Sequence, residues 1–513
     1  MAQEPTTTAQ LSNLPGARSR LRSVAADLAA GLNCLWLLPD RLVDNGEAEE
    51  LYQGALLGVP NRIDVPRPEL TGFAEGDQSV SRAGDEWQDE ADSTWEDWPG
   101  AADQLPFLDS YDDGFDLGWG NERWSAPIPP ARRKTSRMTW EEQDLSARIA
   151  KELSVAPGEV ISRLTAPEDG VGRIVVGVRA WAEPETGSAR GTGVERLYRS
   201  LTTAVRAVGL PPEERPRLLV AARLSDLPAG LPDELQLDLA VTAVHWWWGA
   251  LGRLDTATAI APHLDHSDGA PGYDRDPLRE RILRELRAET VIEICGPDIE
   301  LAQRLAAEWD GAQRSLDTTL AECLIGGAAP TPLNRLSLPA QIGARNRPGP
   351  GIREAWANGA VVSWEGRLRL HPRVWFPSDA TSASSLDTRA RISSLLSQAQ
   401  QRVLLPWIEE ARRQLAVRAL DHLNRPVTSI VATYQKRRIG YLGGRSEHAF
   451  LELQVGELLG AHIEGAITLP EGDTRLLRLL VRSRNRLSHR AILYDSALAE
   501  LCTELSGADV RTA

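Results

Sequence analysis

Lysine is almost missing from this chain: Lys134, Lys151 and Lys436 are the only three in 513 residues. Arginine therefore carries the positive charge, which reflects coding bias as much as function. Cysteine is also scarce. Cys34, Cys295, Cys323 and Cys502 lie far apart and form no CxxC pair, which argues against a zinc ribbon or a disulfide framework and fits a reducing compartment. No uninterrupted apolar run is long enough to span a bilayer, and the opening MAQEPTTTAQ has no apolar core of the signal-peptide kind. These absences predict a cytoplasmic protein with no membrane partner. The net charge of −15 speaks against a general nucleic-acid coat, although a mean can conceal local basic patches.

What remains is globular in balance, 42% hydrophobic and 25% charged, and too long for one ordinary core. The expected class is multidomain α and α/β. Residues 1–72 read as an N-terminal helical module, with an apolar burst (CLWLLPDRLV) followed by the amphipathic EAEELYQGALLG. Residues 73–137 differ sharply. Between Asp85 and Arg123 there are thirteen acids and one arginine, with Trp87, Trp95, Trp98, Trp119 and Trp124 in or beside that stretch. No helical or strand period survives there, so a disordered linker is expected. It serves either as a solvated tether or as a docking segment for a protein partner.

Residues 138–168 have the spacing of a helix-turn-helix. Its second helix would offer Pro157, Glu159 and Ser162 where a DNA reader offers Arg, Lys, Asn or Gln, so a packed helical pair is expected. Residues 169–330 alternate strand and helix: RIVVGVRAW, RLLVAARL, LAVTAVHWWW and ETVIEICG read as strands, which predicts a mostly parallel sheet. The turn after the first of these, EPETGSARGTGVERL, has Gly187, Gly191 and Gly193 but no GK[ST], so a working Walker A loop is not supported. In topology alone the layout resembles nucleoside-triphosphatase-like domains that have lost this motif. Asp226 and Asp255 read as helix caps. His245-Trp246-Trp247-Trp248 reads as a buried strand end or a base-stacking platform. His263 and His266, beside Asp265 and Asp268, lack a well-placed third ligand, and no metal or other cofactor is expected. Residues 331–380 form a connector with a β-hairpin turning near Glu365-Gly366.

Residues 381–513 are the best-defined unit, a helical bundle with eighteen Lys/Arg and fourteen Asp/Glu, or about +4. Four amphipathic helices are expected: SSLDTRARISSLLSQAQ, LLPWIEEARRQLAVRALDHL, EHAFLELQVGELLGAH and DTRLLRLLVRSRNRLSHRAIL. On the last of them, Leu476, Leu480, Leu487 and Ala491 fall on one stripe with Arg484 beside it. Arg475, Arg478, Arg482, Asn485, Arg486 and His489 take the opposite face. A guanidinium beside an apolar stripe needs a partner or a ligand, and Glu410 and Glu457 are the candidate acids.

Arg484-Asn485-Arg486-Leu487-Ser488-His489 resembles the RNxxxH form of the Rx4–6H motif of the HEPN superfamily, in its usual setting late in a small helical bundle. The resemblance covers about a quarter of the chain. It implies a HEPN-like bundle that pairs as a homodimer. It also implies a metal-independent endoribonuclease of a bacterial toxin or antiviral conflict system, or an inactive relative serving as adaptor or sensor. Under this reading Arg484, Asn485 and His489 are catalytic, and Arg475, Arg478, Arg482 and Arg486 bind RNA. Metal-free cleavage needs an acid or base near neutral pH, which His489 supplies, and a fixed cation for the crowded phosphorus, which Arg484 supplies. Arg484 and His489 stand about 140° apart on a straight helix, so a site shared between two protomers is expected.

Overall fold

The computed structural model describes residues 10–67, 144–166, 174–185, 187–264, 276–325, 347–376, 386–436 and 446–510. The acidic, tryptophan-rich segment 73–137 lies outside the described residues.

The described chain is mostly helical and holds a five-stranded parallel sheet. Its strands are β1 (Asn33–Leu37), β2 (Arg62–Asp64), β3 (Val175–Arg179), β4 (Arg217–Ala222) and β5 (Thr242–Trp246), in the order β2-β3-β4-β1-β5. β1 is an interior strand, with Leu35 opposite Val220 of β4 and Val244 of β5. The N-terminal segment is thus part of the α/β sheet, which corrects the reading of 1–72 as a helical module. All five residues of β1 are buried, because helices cover both faces of a parallel sheet. Such a strand is continuously apolar, and its sequence cannot be told from a buried helical turn.

ETVIEICG is a second correction. It ends the helix Pro277–Cys295, which Asp276 caps by accepting hydrogen bonds from the Leu278 and Arg279 N–H groups. This helix is wedged between two cores. Ile282 and Leu286 pack into the C-terminal bundle, whereas Val291, Ile292, Ile294 and Cys295 pack into a central helical core. Burial on several sides removes the polar stripe by which an amphipathic helix is recognised.

The pair Leu145–Leu153 and Val160–Thr165 packs on the helix Thr192–Val208 and contributes Leu145, Ile149, Val160 and Leu164 to the sheet's core. The hairpin forms from β6 (Val361–Trp364) and β7 (Arg367–Leu370). Glu365 and Gly366 both have positive φ at its turn, the left-handed geometry that matches the twist of paired strands.

In the C-terminal region the first two expected helices are one, Leu386–Ala419, running through Pro406 and packed along Pro277–Cys295. The third divides into Ser446–Leu451 and Val455–Ile463. Val427–Tyr434, Glu471–Ser488 and Asp495–Val510 complete the bundle. The long helix also enters the central core through Ile392 and Leu396. An ionic knot ties hairpin, bundle and central helices together. The buried Glu293 carboxylate receives Arg253 at 2.8 Å and Arg402 at 3.2 Å, and Arg402 also reaches Glu365 at 3.1 Å. Among the described residues no helix is long and apolar enough to cross a membrane.

Candidate functional site

The motif sits at the end of Glu471–Ser488. Leu476, Leu477, Leu480, Ser483 and Leu487 recur at three- and four-residue spacing and are buried, which docks this helix on the bundle. Asp473 in its first turn is held by Arg418 at 3.0 and 3.1 Å. The helix stops at His489, where the N–H groups of His489, Arg490 and Ala491 return to the carbonyls of Asn485, Leu487 and Arg486, and Arg490 takes a φ of 57°. Ala491 lies past this stop and is exposed, which removes it from the apolar stripe. Glutamines of the long helix hold the exit: Gln401 donates to the Leu487 carbonyl at 2.9 Å, and Gln400 both donates to the Leu493 carbonyl and accepts from its N–H.

Arg484 is half-buried and donates from Nη2 to Gln454 Oε1 at 2.7 Å. Its partner is therefore an amide, not Glu410 or Glu457. Glu457 accepts instead from the Gln454 and Lys436 backbone N–H groups, each at 2.8 Å. Asn485 and His489 are exposed, one helical turn apart, and neither side chain has a hydrogen-bond partner among the described residues. Arg475 pairs with Glu504 at 3.0 Å, and Arg482 stands 4.0 Å from Glu500. Arg478 is exposed and Arg486 half-buried, neither in an ion pair among the described residues. Within one chain, then, Asn485 and His489 stand together, while Arg484 is held toward the neighbouring helix.

Among the described residues the turn after β3 forms no phosphate cradle. Glu185 accepts from the Gly193 N–H at 2.9 Å, so a carboxylate sits at the helix start where a P-loop would present its phosphate. Gly191 enters this turn at φ +74°, and a Cβ there would meet the Asp226 carbonyl at 2.5 Å. Asp226 accepts from the Arg223 N–H and from Arg190, and Asp255 from the Gly16 and Gly252 N–H groups; both are structural. Trp246, Trp247 and Trp248 are buried, with Trp246 edge-on to Trp356 at 5.2 Å. They are core residues, which leaves no stacking platform there. His245 pairs with Asp27 at 2.9 Å. His266, Asp265 and Asp268 lie outside the described residues, and among those described no group of three or more potential metal ligands occurs.

One feature has no signature in the sequence. A cleft of about 510 Å³ opens at the C-terminal ends of β1 and β5, where open parallel sheets hold their ligands. Asp40 and Arg41 come from the short helix Asp40–Asp44 just past β1, Trp247 from just past β5, Asp298 and Arg304 from the helix Ile299–Glu308 and its cap, and His371 and Arg373 from the chain after the hairpin. Asp298 is buried between Arg41 and His371, with His371 Nε2 at 2.8 Å. Burial alone would raise its carboxyl, but Arg41 and His371 outweigh that and hold it well below the usual carboxylate range. These residues come from four stretches separated by up to several hundred positions, so no local pattern announces them.

No family model, no curated protein and no solved structure matches this chain.

Proposed function

We propose that the C-terminal bundle is a HEPN-type unit that cleaves RNA without metal, through a site shared between two copies of the chain. The observation that carries this reading is the pair Asn485 and His489, both exposed and free of partners among the described residues, at the tip of an arginine-bearing helix. In such a site His489 takes the proton from a ribose 2′-hydroxyl, whose oxygen bonds to the adjacent phosphorus as the bond to the 5′-oxygen breaks. A second acid, the His489 of the other copy, returns a proton to that leaving oxygen. Arg478 and Arg486 hold backbone phosphates, and Arg484 offers donors to the phosphorus oxygens. The test uses the full chain with single-stranded RNA in the presence of EDTA. Cleavage that persists in EDTA and disappears in His489→Ala supports the reading; equal activity of wild type and variant removes it.

A second reading has its own observation. Arg484 is engaged by Gln454, and Arg475 and Arg482 face Glu504 and Glu500. That arrangement supports an inactive HEPN-type adaptor or sensor within a multi-protein bacterial defence or signalling assembly. A chain that leaves RNA intact as wild type, yet assembles as a dimer, favours this second role.

A further inference from the structure

The turn that follows the motif helix is pinned at both ends by adjacent residues of the long helix Leu386–Ala419. Gln401 donates to the Leu487 carbonyl at 2.9 Å, and the buried Gln400 bonds both the carbonyl and the N–H of Leu493. Gln313 adds a second donor to the Leu493 carbonyl at 2.5 Å, and its own N–H reaches Asp495 at 3.2 Å. Leu493 is seated in the bundle core, and Ile492 packs against the central core. His489, Arg490 and Tyr494 therefore stand on one short, anchored turn.

All three are exposed, Tyr494 at 58%, and none of their side chains has a hydrogen bond, ion pair or ring contact among the described residues. A lone exposed aromatic is ordinary on a protein surface. This one follows directly on an anchored leucine and shares its turn with two free polar side chains. Arg490 also takes a φ of 57°, just past a helix end, where glycine is usual and a long side chain is strained. Such strain is concentrated where a side chain has work to do. Arg486 and Arg490 have no ion pair among the described residues, so the turn offers a ring together with free guanidinium groups. That combination fits a polyanion that carries its own flat rings. We propose that Tyr494 is a base-stacking residue for single-stranded RNA, with an unpaired nucleobase on its ring and the adjoining phosphate on Arg490, which sets the strand across His489. The proposal rests on the reading of this helix end as an RNA site and names its substrate class. The RNA must be unpaired there, because a base inside a duplex has no free face to offer.

The experiment is fluorescence-anisotropy titration of the full chain carrying His489→Ala, so that the RNA survives, with a short labelled single-stranded RNA of mixed sequence and with the same strand in a duplex. The single strand should bind more tightly than the duplex. Tyr494→Ala should weaken its binding by about 5- to 150-fold, the loss of one stacked base, whereas Tyr494→Trp should keep it. Tyr494→Leu, apolar but without an aromatic face, should weaken it as alanine does, and it serves if the alanine variant does not fold by circular dichroism. The slope of log affinity against log salt should stay unchanged in Tyr494→Ala and flatten by about 0.7 in Arg490→Ala, the loss of one phosphate contact to a single strand. No binding of the single strand, equal binding of the duplex, or unchanged affinity in the folded Tyr494 variants overturns the proposal. So does a Tyr494→Ala chain that light scattering shows to have changed from dimer to monomer, which would assign the ring to a contact between copies. Cleavage is read separately with His489 intact. A chain that binds RNA through Tyr494 yet leaves it whole sinks the RNase reading alone. A chain that cleaves, with Tyr494→Ala binding and cleaving equally well, sinks the stacking proposal alone.

Discussion

Arg484 hydrogen-bonds Gln454, a side chain at the start of the neighbouring helix Val455–Ile463, rather than any carboxylate. An amide neutralises nothing, so the guanidinium keeps its full charge while its position is set. If the bundle cleaves RNA as proposed, Gln454→Ala should lower that cleavage with Arg484 still in place. It should also cost about 1 kcal/mol of stability, the usual net worth of one such hydrogen bond. Comparing cleavage rates and urea midpoints of wild type, Gln454→Ala and Gln454→Glu checks this. The glutamate variant should be the more stable of the two and no more active, since its charge cancels that of Arg484.

His489 separates chemistry from stability. Its side chain is exposed and without a partner among the described residues, so His489→Ala should leave the melting curve unchanged. If it is the acid or base, cleavage should fall by about 10²–10⁴-fold. A variant that melts early would place the effect in folding rather than in proton transfer.

Glu293 should matter far more to stability. Its buried carboxylate is met by Arg253 and Arg402, and Arg369 donates to its backbone carbonyl. Glu293→Ala would remove the buried centre of the knot while Arg253 and Arg402 keep Glu289 and Glu365, so the cost should fall below the figure of about 3–5 kcal/mol for a buried charge left without any partner. Urea unfolding followed by circular dichroism measures it, and a loss under about 1 kcal/mol would show the knot to be solvated.

Asp298 predicts the shape of the acid limb. Its folded pKa lies below its unfolded value, so its contribution is fully present above about pH 4 and is lost as pH falls toward the folded value. Asp298→Asn should be less stable than wild type at neutral pH and show a flatter decline below pH 4. Urea midpoints across that range provide the comparison, and parallel slopes in the two proteins would contradict the assignment.

All four cysteines are buried and free of disulfides. Burial pushes Cys502 up to about 11, and burial with the nearby Glu308 pushes Cys323 up to about 12. Thiolate is then negligible at neutral pH. A disulfide reagent should titrate none of the four in the native chain and all four in urea.

Much of the architecture was legible because its periods are local. β3, β4, β5 and the hairpin follow from short apolar runs bounded by turns, and Leu476, Leu480 and Leu487 marked the docked face of the motif helix. β1 and ETVIEICG were misread for one shared reason. Each is buried on more than one side, so neither has the polar alternation that distinguishes strand from helix. The glutamine partner of Arg484 was missed because an amide thirty residues away leaves no charge pattern to follow. Nor could the sequence show that Asp40, Asp298 and Arg373 line one cleft, since they come from three distant stretches that only the folded chain brings together.

The helix Pro277–Cys295 gives Ile282 and Leu286 to the C-terminal bundle and Val291 and Ile294 to the central core. The bundle's unit of inheritance therefore begins well before residue 381. A recombination that carried off 386–510 alone would strip an apolar wall from the donor and deliver a bundle with one side open. A transplant that begins at Pro277 and runs to the end of the chain keeps that wall, the long helix beside it and the motif in one heritable block.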